Sequence, residues 1–365
     1  MKNFLVSLLS IFLGLLLGGL VLKLSGINPL DAYTVMIEGA FSQPNYISYI
    51  IIRSTPLILT GLSVAFAFKT GLFNIGTEGQ FIVGALTATF LGFYFNFNPW
   101  LQIPVVMILS CFASSLYGGL AGYLKARFGV HEVLSTIMLN WLALYLSNFF
   151  VFIEGFRRPD TETTEFINQS ASITLLENWK VSESGMAWLE NHTFWKSFLR
   201  PPFNAGIFIA LIMVFLIWFI LEKTTFGFKL KATGFSQLAS RYAGINTNLK
   251  MTQAMMISGA LSGLAGALHV MGVSKNVAVL AAHEGYGFDG IAVALIGSNH
   301  PVGVLLSGFF LGTLKYSGQK LQSALEAPSE VISIMIGVII FFIAIPSIFN
   351  WPLKILSRIK KESKQ

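Results

Sequence analysis

The sequence KATGFSQLASRYAGI, at residues 231–245, decides how this chain is laid out. It is polar and basic, has the length of a short helix, and stands between two apolar segments that are each hydrophobic enough to cross a bilayer. An amphipathic helix between two such spans must lie at the membrane face, with Gln237, Ser240 and Arg241 directed to water. We interpret this stretch as a docking element.

The composition is typical of a polytopic, all-α membrane protein. Of the 365 residues, 54% are hydrophobic and 11% are charged, and the mean hydropathy is +0.68. Because an average soluble domain has about 25% charged residues, an ordinary soluble globule is excluded. The net charge is +7, but Lys and Arg fall in short loops beside apolar runs, so we exclude nucleic-acid binding. The single cysteine, Cys111, permits no disulfide within the chain, and we expect it to pack in the core.

Hydrophobic runs predict about ten transmembrane helices in a single transmembrane domain, residues 1–350, followed by a basic tail at 351–365. We expect Pro56 to kink the second of them. The predicted helices are residues 4–22, 47–68, 81–94, 100–124, 133–153, 203–221, 251–271, 291–296, 302–321 and 331–349.

The distribution of charge predicts the orientation of the chain. Residues 154–202 contain seven acidic and five basic residues, whereas residues 222–250 contain five basic residues and one acidic residue. The tail is also basic. Because cytoplasmic loops are enriched in Lys and Arg, we place residues 222–250 and both termini in the cytoplasm, and residues 154–202 outside.

Two Gly-rich interruptions share one pattern. TGLFNIGTEGQFIVGALTATFLG (70–92) and HEGYGFDGIAVALIGSNHPVGVLLSG (283–308) each combine glycines, a carboxylate that stands just before or at the start of a short helix of small residues (Glu78 and Asp289), and that helix. Paired interrupted helices are typical of transporters built from repeats, in which the solute passes at the interruption. We therefore predict two broken-helix repeats, which either cross or re-enter the membrane.

Glu78 and Asp289 are the first candidates for function in these segments, because ionised groups inside a membrane are costly. Glu78 is either polar lining for a hydroxyl-rich or heterocyclic solute, or a cap on the N-terminus of the following helix. For Asp289 the cap on the following helix is favoured. The neighbouring rings of Phe73 and Phe288 offer faces on which a base or a sugar could stack. The candidate pathway residues are Phe73, Asn74, Glu78, Gln80, Phe288 and Asp289.

Several chemistries are not expected of this chain. The dipeptide Gly-Lys is absent, so there is no Walker A phosphate loop, and we do not expect the chain to hydrolyse ATP. The five histidines show no metal-ligand spacing, and we expect neither a bound metal nor a bound cofactor. The small residues at positions 259, 263 and 266 predict close helix packing.

Three stretches, in this order, carry a family resemblance: GLSVAFAFKTGLFNIGTEGQ (61–80), RYAGIN (241–246) followed by ISGALSGLAGAL, and GYGFDGIAVALIG (285–297). They resemble the permease subunits of ATP-binding-cassette importers for simple sugars and nucleosides. That superfamily also includes ribose and branched-chain amino acid permeases. The similarity runs over residues 45–345, and the FNIGTEGQ form is more similar to the nucleoside branch.

The resemblance implies a location in the bacterial cytoplasmic membrane and three protein partners. These are a cytoplasmic ATPase that uses ATP and Mg²⁺, a second and usually different permease, and a substrate-binding protein or lipoprotein outside. It also assigns residues 232–245 as the coupling helix that fits a groove in the ATPase, so that replacing Gly234 or Arg241 is expected to uncouple ATP hydrolysis from uptake. The coupling positions are Ala232, Gly234, Gln237, Ala239, Arg241 and Gly244.

Several alternatives stay open at this point. The solute is a nucleoside, a simple sugar such as ribose or galactose, or riboflavin. Residues 154–202 form either a dock for the binding protein or a loosely ordered loop. An ATP-independent secondary transporter also has broken helices, but it has no need for a basic docking helix. An intramembrane enzyme is not favoured, because no paired catalytic residues are present.

Overall fold

The computed structural model describes residues 2–344, with side chains from residue 12 onward. Within this range β structure is limited to three isolated bridges, so the predicted all-α class is confirmed. The helices are α1 (Lys2–Leu24), α2 (Pro29–Phe41), α3 (Pro44–Phe68), α4 (Thr77–Tyr94), α5 (Pro99–Phe128), α6 (Glu132–Val151), α7 (Glu177–Lys180), α8 (Glu183–Asn191), α9 (Thr193–Phe198), α10 (Gly206–Lys223), α11 (Thr225–Phe235), α12 (Gln237–Tyr242), α13 (Thr247–His269), α14 (Tyr286–Ile296), α15 (Pro301–Leu325) and α16 (Ser329–Ala344).

Five helices in the described part of the chain are long and apolar enough to cross a membrane: α3, α5, α6, α10 and α13 with its π-helical extension to Ser274. The part of α1 from Phe12 and helix α2 form a pair bent by 116°, which raises the number to six if the pair is one span. Helices α14 and α16 are apolar but shorter. The predicted count of ten is not confirmed by this criterion.

The chain divides into two compact units. The larger is residues 47–312, and the smaller contains the residues before 47 and after 312. In the smaller unit α1 packs against α16, where Gly18 leaves room for the side chains of Met335 and Ile339. The residues that carry the predicted pathway and the coupling segment all belong to the larger unit.

The two Gly-rich interruptions are shorter than predicted. Helix α4 begins at Thr77, so the last residues of the predicted break at 70–80 already form its first turn. Helix α14 begins at Tyr286, which makes most of GYGFDG helical. Glycines followed by a carboxylate start a helix here, because an acidic side chain in the first turn offsets the helix dipole.

Three smaller expectations have different outcomes. Helix α3 continues through Pro56 to Phe68. Cys111 was expected in the core but is only partly buried. It lies in a part of α5 where neighbouring residues such as Phe112 are exposed. The last five residues of the predicted helix at 331–349, and the basic tail, lie outside the described residues.

Close packing of α13 against α4 and α5 is confirmed, and it forms the centre of the larger unit. A Cβ on Gly84 would lie 2.2 Å from the carbonyl oxygen of Gly263, and one on Gly266 would lie 2.1 Å from that of Phe81. Helices in lipid gain little from the hydrophobic effect, so they associate through such close backbone approach. The small residues of α13 are therefore explained by packing alone.

Helix α10 shows how the unit meets lipid. Its residues Phe208, Ile212 and Phe215 are 54%, 63% and 64% exposed, whereas Ala210 and Val214 are buried. A helix that is apolar on every side and exposed on one of them is suited to contact acyl chains.

Residues 154–202 are packed against the rest of the larger unit and are not loosely ordered. The backbone N–H of Thr164 donates to Val277 O at 2.9 Å, and that of Ile173 donates to Met271 O at 3.1 Å. Phe156 is 1% exposed. The part from Thr164 to Ile173 therefore runs along the chain that follows α13, and helices α7, α8 and α9 form the rest of the segment from residue 177 onward.

Lys275 fastens this segment. Its ammonium group donates to Thr174 Oγ1 at 2.7 Å, to Met271 O at 3.0 Å and to the Ser172 hydroxyl, and it lies 3.6 Å from Glu177 Oε2. Burial lowers the pKa of Lys275, and Glu177 opposes this shift. A partly buried ammonium with this many acceptors is expected to hold the segment in place.

Replacing Lys275 with Met is expected to loosen residues 169–180 without unfolding the protein. The loss of one well-placed charged hydrogen-bond donor, about 1.4 kcal/mol or more, should speed amide hydrogen exchange in that stretch about tenfold. Exchange measured by mass spectrometry tests this, with the exposed Lys196→Met as the control. Equal exchange in the two variants would show that Lys275 does not fasten the segment.

Candidate functional site

Glu78 joins the two broken segments. Its side chain is fully buried, and its oxygens accept hydrogen bonds from the backbone N–H groups of Gly285 at 2.8 Å and Gly287 at 2.6 Å. The Thr77 hydroxyl donates to Gly287 O at 3.1 Å. Glu78 therefore caps the N-terminus of α14, which belongs to the other repeat, although the cap considered from the sequence was on the helix that follows it.

Asn74 and Gln80 form a second buried group that shapes the first break. Asn74 Oδ1 accepts from the backbone N–H of Gly76 at 2.9 Å, and its Nδ2 donates to Gln80 Oε1 at 2.9 Å and Ser258 Oγ at 2.7 Å. Ser258 in turn bonds to Ser63 of α3, at 2.8 Å between hydroxyl oxygens. These side chains tie the break to α13 and α3.

The other candidate pathway residues are placed differently. The ring of Phe73 packs on Phe68, with centroids 5.2 Å apart, and the ring of Phe288 lies 5.6 Å from the imidazole of His283. Phe288 is 41% exposed. Asp289 lies within the first turn of α14 and not before the helix, as the predicted cap required, because α14 begins at Tyr286; its backbone N–H donates to Gly285 O at 2.9 Å.

Asn140 on α6 is a functional candidate that the sequence reasoning missed. It is 2% exposed, its Oδ1 accepts from the backbone N–H of Gly79 at 2.8 Å, and its Nδ2 donates to Ile75 O at 3.0 Å. The signal was present, because a side-chain amide inside the apolar run at 133–153, which contains Asn140 and Asn148, requires a partner within the membrane.

An aromatic cluster next to the break was also missed. The rings of Phe81 and Tyr286 are stacked with centroids 5.2 Å apart, and His269 lies 5.9 Å from the first and 5.1 Å from the second. The three residues come from α4, α14 and the end of α13. No local pattern connects positions so far apart in the chain.

The predicted coupling residues 232–245 include the end of one helix, α11, and all of a second, α12, so the prediction of one helix over 232–245 was wrong. Helix α11 ends at Phe235, and Ser236 is extended and caps α12 by accepting from the backbone N–H of Ala239 at 3.2 Å. A serine in this conformation ends one helix and starts the next. Gln237 is exposed as predicted, but Ser240 is 4% exposed and does not face water.

Several predicted coupling positions hold this segment in place. Arg241 Nε donates to Thr247 Oγ1 at 2.9 Å, and its terminal nitrogen donates to Asn248 Oδ1 at 3.1 Å. A Cβ on Gly234 would lie 2.4 Å from Lys69 O at the end of α3. The other positions serve the helix ends or face solvent: Ala232 accepts from Ser236 N, Ala239 is exposed, and Gly244 has a φ of +77° that favours glycine.

An exposed apolar surface surrounds α12. Phe235, Leu238 and Tyr242 are 93%, 70% and 94% exposed. These three side chains, which we call the α12 surface, stand in a basic segment and are among the most exposed large residues of the described chain. Exposed apolar side chains grouped in this way make the α12 surface a candidate interaction site.

The comparisons agree with the resemblance. The chain is 40% identical over 344 residues to the guanosine ABC transporter permease protein NupP of Bacillus subtilis, covering 94% of each chain. It is 34% identical over 354 residues to the nucleoside ABC transporter permease protein NupB of Lactococcus lactis, covering 96% of this chain and 93% of the relative.

A more distant relative has another solute in its name. The glucose ABC transporter permease protein TsgB13 of Haloferax volcanii is 28% identical over 342 residues, covering 94% of this chain and 87% of the relative. No solved structure matches the chain. Residues 46–344 match the family described as the branched-chain amino acid transport system / permease component, and the chain is therefore a member of this family of integral membrane permeases.

Proposed function

We propose that this chain is a membrane-spanning subunit of an ATP-binding-cassette importer that carries nucleosides. The observation that supports this most is the similarity to guanosine and nucleoside permeases over nearly the whole chain. The permease pairs with a second permease, is supplied by a substrate-binding protein and is driven by an ATPase that binds ATP and Mg²⁺. It binds no cofactor of its own.

The proposed orientation follows from the charge pattern. The basic coupling segment at 222–250 and both termini lie in the cytoplasm, and residues 154–202 lie outside. About ten crossings are consistent with this arrangement if the broken segments and the shorter apolar helices are counted. The packed external segment then offers a firm surface to the binding protein.

In the proposed mechanism the two permeases alternate between outward-open and inward-open states. Nucleotide binding closes the ATPase subunits, and the movement reaches this chain through α12. Arg241 ties α12 to the start of α13, and Gly234 packs at the end of α3. These contacts support transmission of the movement to the pathway at Asn74, Gln80, Glu78 and Asp289, flanked by Phe73 and Phe288.

The α12 surface is proposed to dock in the ATPase together with Gln237. Replacing Leu238 with Asp is expected to reduce recovery of the ATPase with the purified permease at least tenfold, because a buried charge costs several kcal/mol without a partner. Uptake should fall in parallel, while membrane insertion is unchanged. Phe194→Asp, in the external segment, is the matched control, since Phe194 is 55% exposed. Normal recovery of the ATPase with Leu238→Asp would contradict the docking proposal.

Stimulation of ATP hydrolysis in the assembled complex tests the function itself. In nanodiscs, binding protein loaded with guanosine is expected to stimulate ATP hydrolysis, and the same protein with glucose is not. Stimulation by glucose alone would favour the sugar permease, the second candidate, which the relative from Haloferax supports. If this chain alone moved solute in proteoliposomes without an ATPase, it would be a secondary transporter.

A further inference from the structure

A cavity lies beside the aromatic cluster, and it contains none of the pathway residues predicted from the sequence. It has a volume of about 130 Å³ and lies between α4, α6, the end of α13 and the loop before α14. We call it the ring cavity. Its lining includes Phe81, Ser147, His269, Ser274 and Glu284.

The size of the ring cavity limits what it can hold. A cavity of about 150 Å³ accommodates one benzene molecule, so a cavity of about 130 Å³ accommodates one five- or six-membered ring. A purine together with its ribose does not fit. In this state the ring cavity therefore has room for one ring of a nucleoside, with the other part outside.

The lining of the ring cavity is polar in an unusual way for a membrane protein. The hydroxyl groups of Ser147 and Ser274 are buried and have no hydrogen-bond partner among the described residues. Ser147 is fully buried in α6. An unpaired buried hydroxyl is unfavourable, so two of them beside one cavity favour a polar occupant over an apolar one.

The remaining lining has a hydrogen-bond acceptor and the ring faces that a sugar ring requires. Glu284 is exposed and provides a carboxylate that accepts hydrogen bonds. Phe81 and His269 form a wall, and Tyr286 supports both rings from behind. In dinucleotide sites a carboxylate accepts a hydrogen bond from the ribose 2′-hydroxyl, and the apolar carbon side of a sugar suits an apolar or aromatic wall.

We propose that the ring cavity holds the ribose ring of the solute, with the Glu284 carboxylate accepting hydrogen bonds from the 2′- and 3′-hydroxyls. The base stays outside the cavity. This proposal rests on the function proposed above, since it takes the solute to be a nucleoside.

The place of the ring cavity agrees with this role. Its wall at 276–280 pairs with the external segment, where Thr164 N donates to Val277 O and Val279 N donates to Glu162 O, both at 2.9 Å. In the proposed orientation this wall therefore lies on the external side, where the binding protein delivers the solute. Phe81 belongs to the helix whose first turn contains Glu78, so the ring cavity adjoins the junction of the two repeats.

The experiment uses the complete reconstituted transporter with its binding protein, and it measures uptake of guanosine and of 2′,3′-dideoxyguanosine. Loading of the binding protein by each solute is checked first. Glu284→Gln is expected to lower guanosine uptake about tenfold or more and dideoxyguanosine uptake much less. Each variant is compared with the wild type for the same solute, so any preference of the binding protein for one solute cancels in the ratio of uptake rates. Glu284→Asp, which keeps the carboxylate, should recover part of the uptake.

Folding is controlled separately. Glu284 is near enough to Glu78 for the two carboxylates to repel each other, so Glu284→Gln should not reduce the melting temperature. Ala85 also lines the ring cavity, and Ala85→Leu fills it, so this variant should block uptake while loaded binding protein still stimulates ATP hydrolysis.

The outcomes separate this proposal from the proposed function. If the wild-type complex takes up no nucleoside, the proposed function fails. Suppose that the wild type takes up guanosine. If Glu284→Gln then takes up guanosine equally fast, or if its uptake of guanosine and of dideoxyguanosine falls by the same factor, the ring cavity does not bind the ribose hydroxyls. Unchanged uptake by Ala85→Leu would also overturn the proposal.

Discussion

Replacing Glu78 with Ala is expected to destabilise the permease by at least about 3 kcal/mol and to abolish uptake. The change leaves the buried N–H groups of Gly285 and Gly287 without an acceptor, and each hydrogen bond to a charged group contributes about 1.5–3 kcal/mol. It also removes the charge that faces the N-terminal dipole of α14. Thermal unfolding in detergent and uptake in vesicles test this result.

Glu78→Gln distinguishes the two roles considered for this residue. An amide retains one acceptor oxygen, so a cap should be weakened by an intermediate amount, with a melting temperature between those of wild type and Glu78→Ala. The control is Glu190→Gln, which changes an exposed carboxylate of α8. If Glu78→Gln abolished uptake while the melting temperature stayed at the wild-type value, Glu78 would act on the solute and not as a cap.

Replacing Gly266 with Val is expected to prevent assembly of the larger unit. The added Cβ would lie 2.1 Å from the backbone oxygen of Phe81 and 2.8 Å from the backbone nitrogen of Ala85. These are backbone atoms, which cannot rotate away as the end of a side chain can. Overpacking of a core costs about 1–3 kcal/mol even when side chains adjust. The yield of monodisperse protein after detergent extraction measures the effect.

Gly337→Val is the matched control for this variant. Gly337 also lies in an apolar helix, α16, but an added Cβ there would meet no atom within 4 Å. Its yield is expected to equal that of the wild type. Equal yields for the two variants would show that close approach of α13 and α4 does not stabilise the structure.

Most local features were predicted correctly from sequence. The long apolar runs became helices close to the expected positions, and the small residues of α13 pack as expected. The errors lie at helix ends: α4 and α14 begin inside the predicted breaks, and Ser236 divides the coupling segment. Helix ends depend on which side chain accepts from the first N–H groups, and hydropathy does not report this.

The sequence by itself determined the membrane class, the helix positions, the two Gly-rich breaks and the family. These follow from hydropathy, charge and motifs that are properties of short stretches. Only the tertiary structure decided that Glu78 caps a helix 207 residues away in the chain, that Asn140 holds the first break, and that Phe81, His269 and Glu284 surround one cavity. Such contacts join residues that are distant in the chain, and they form because buried polar groups must find partners wherever the fold provides them.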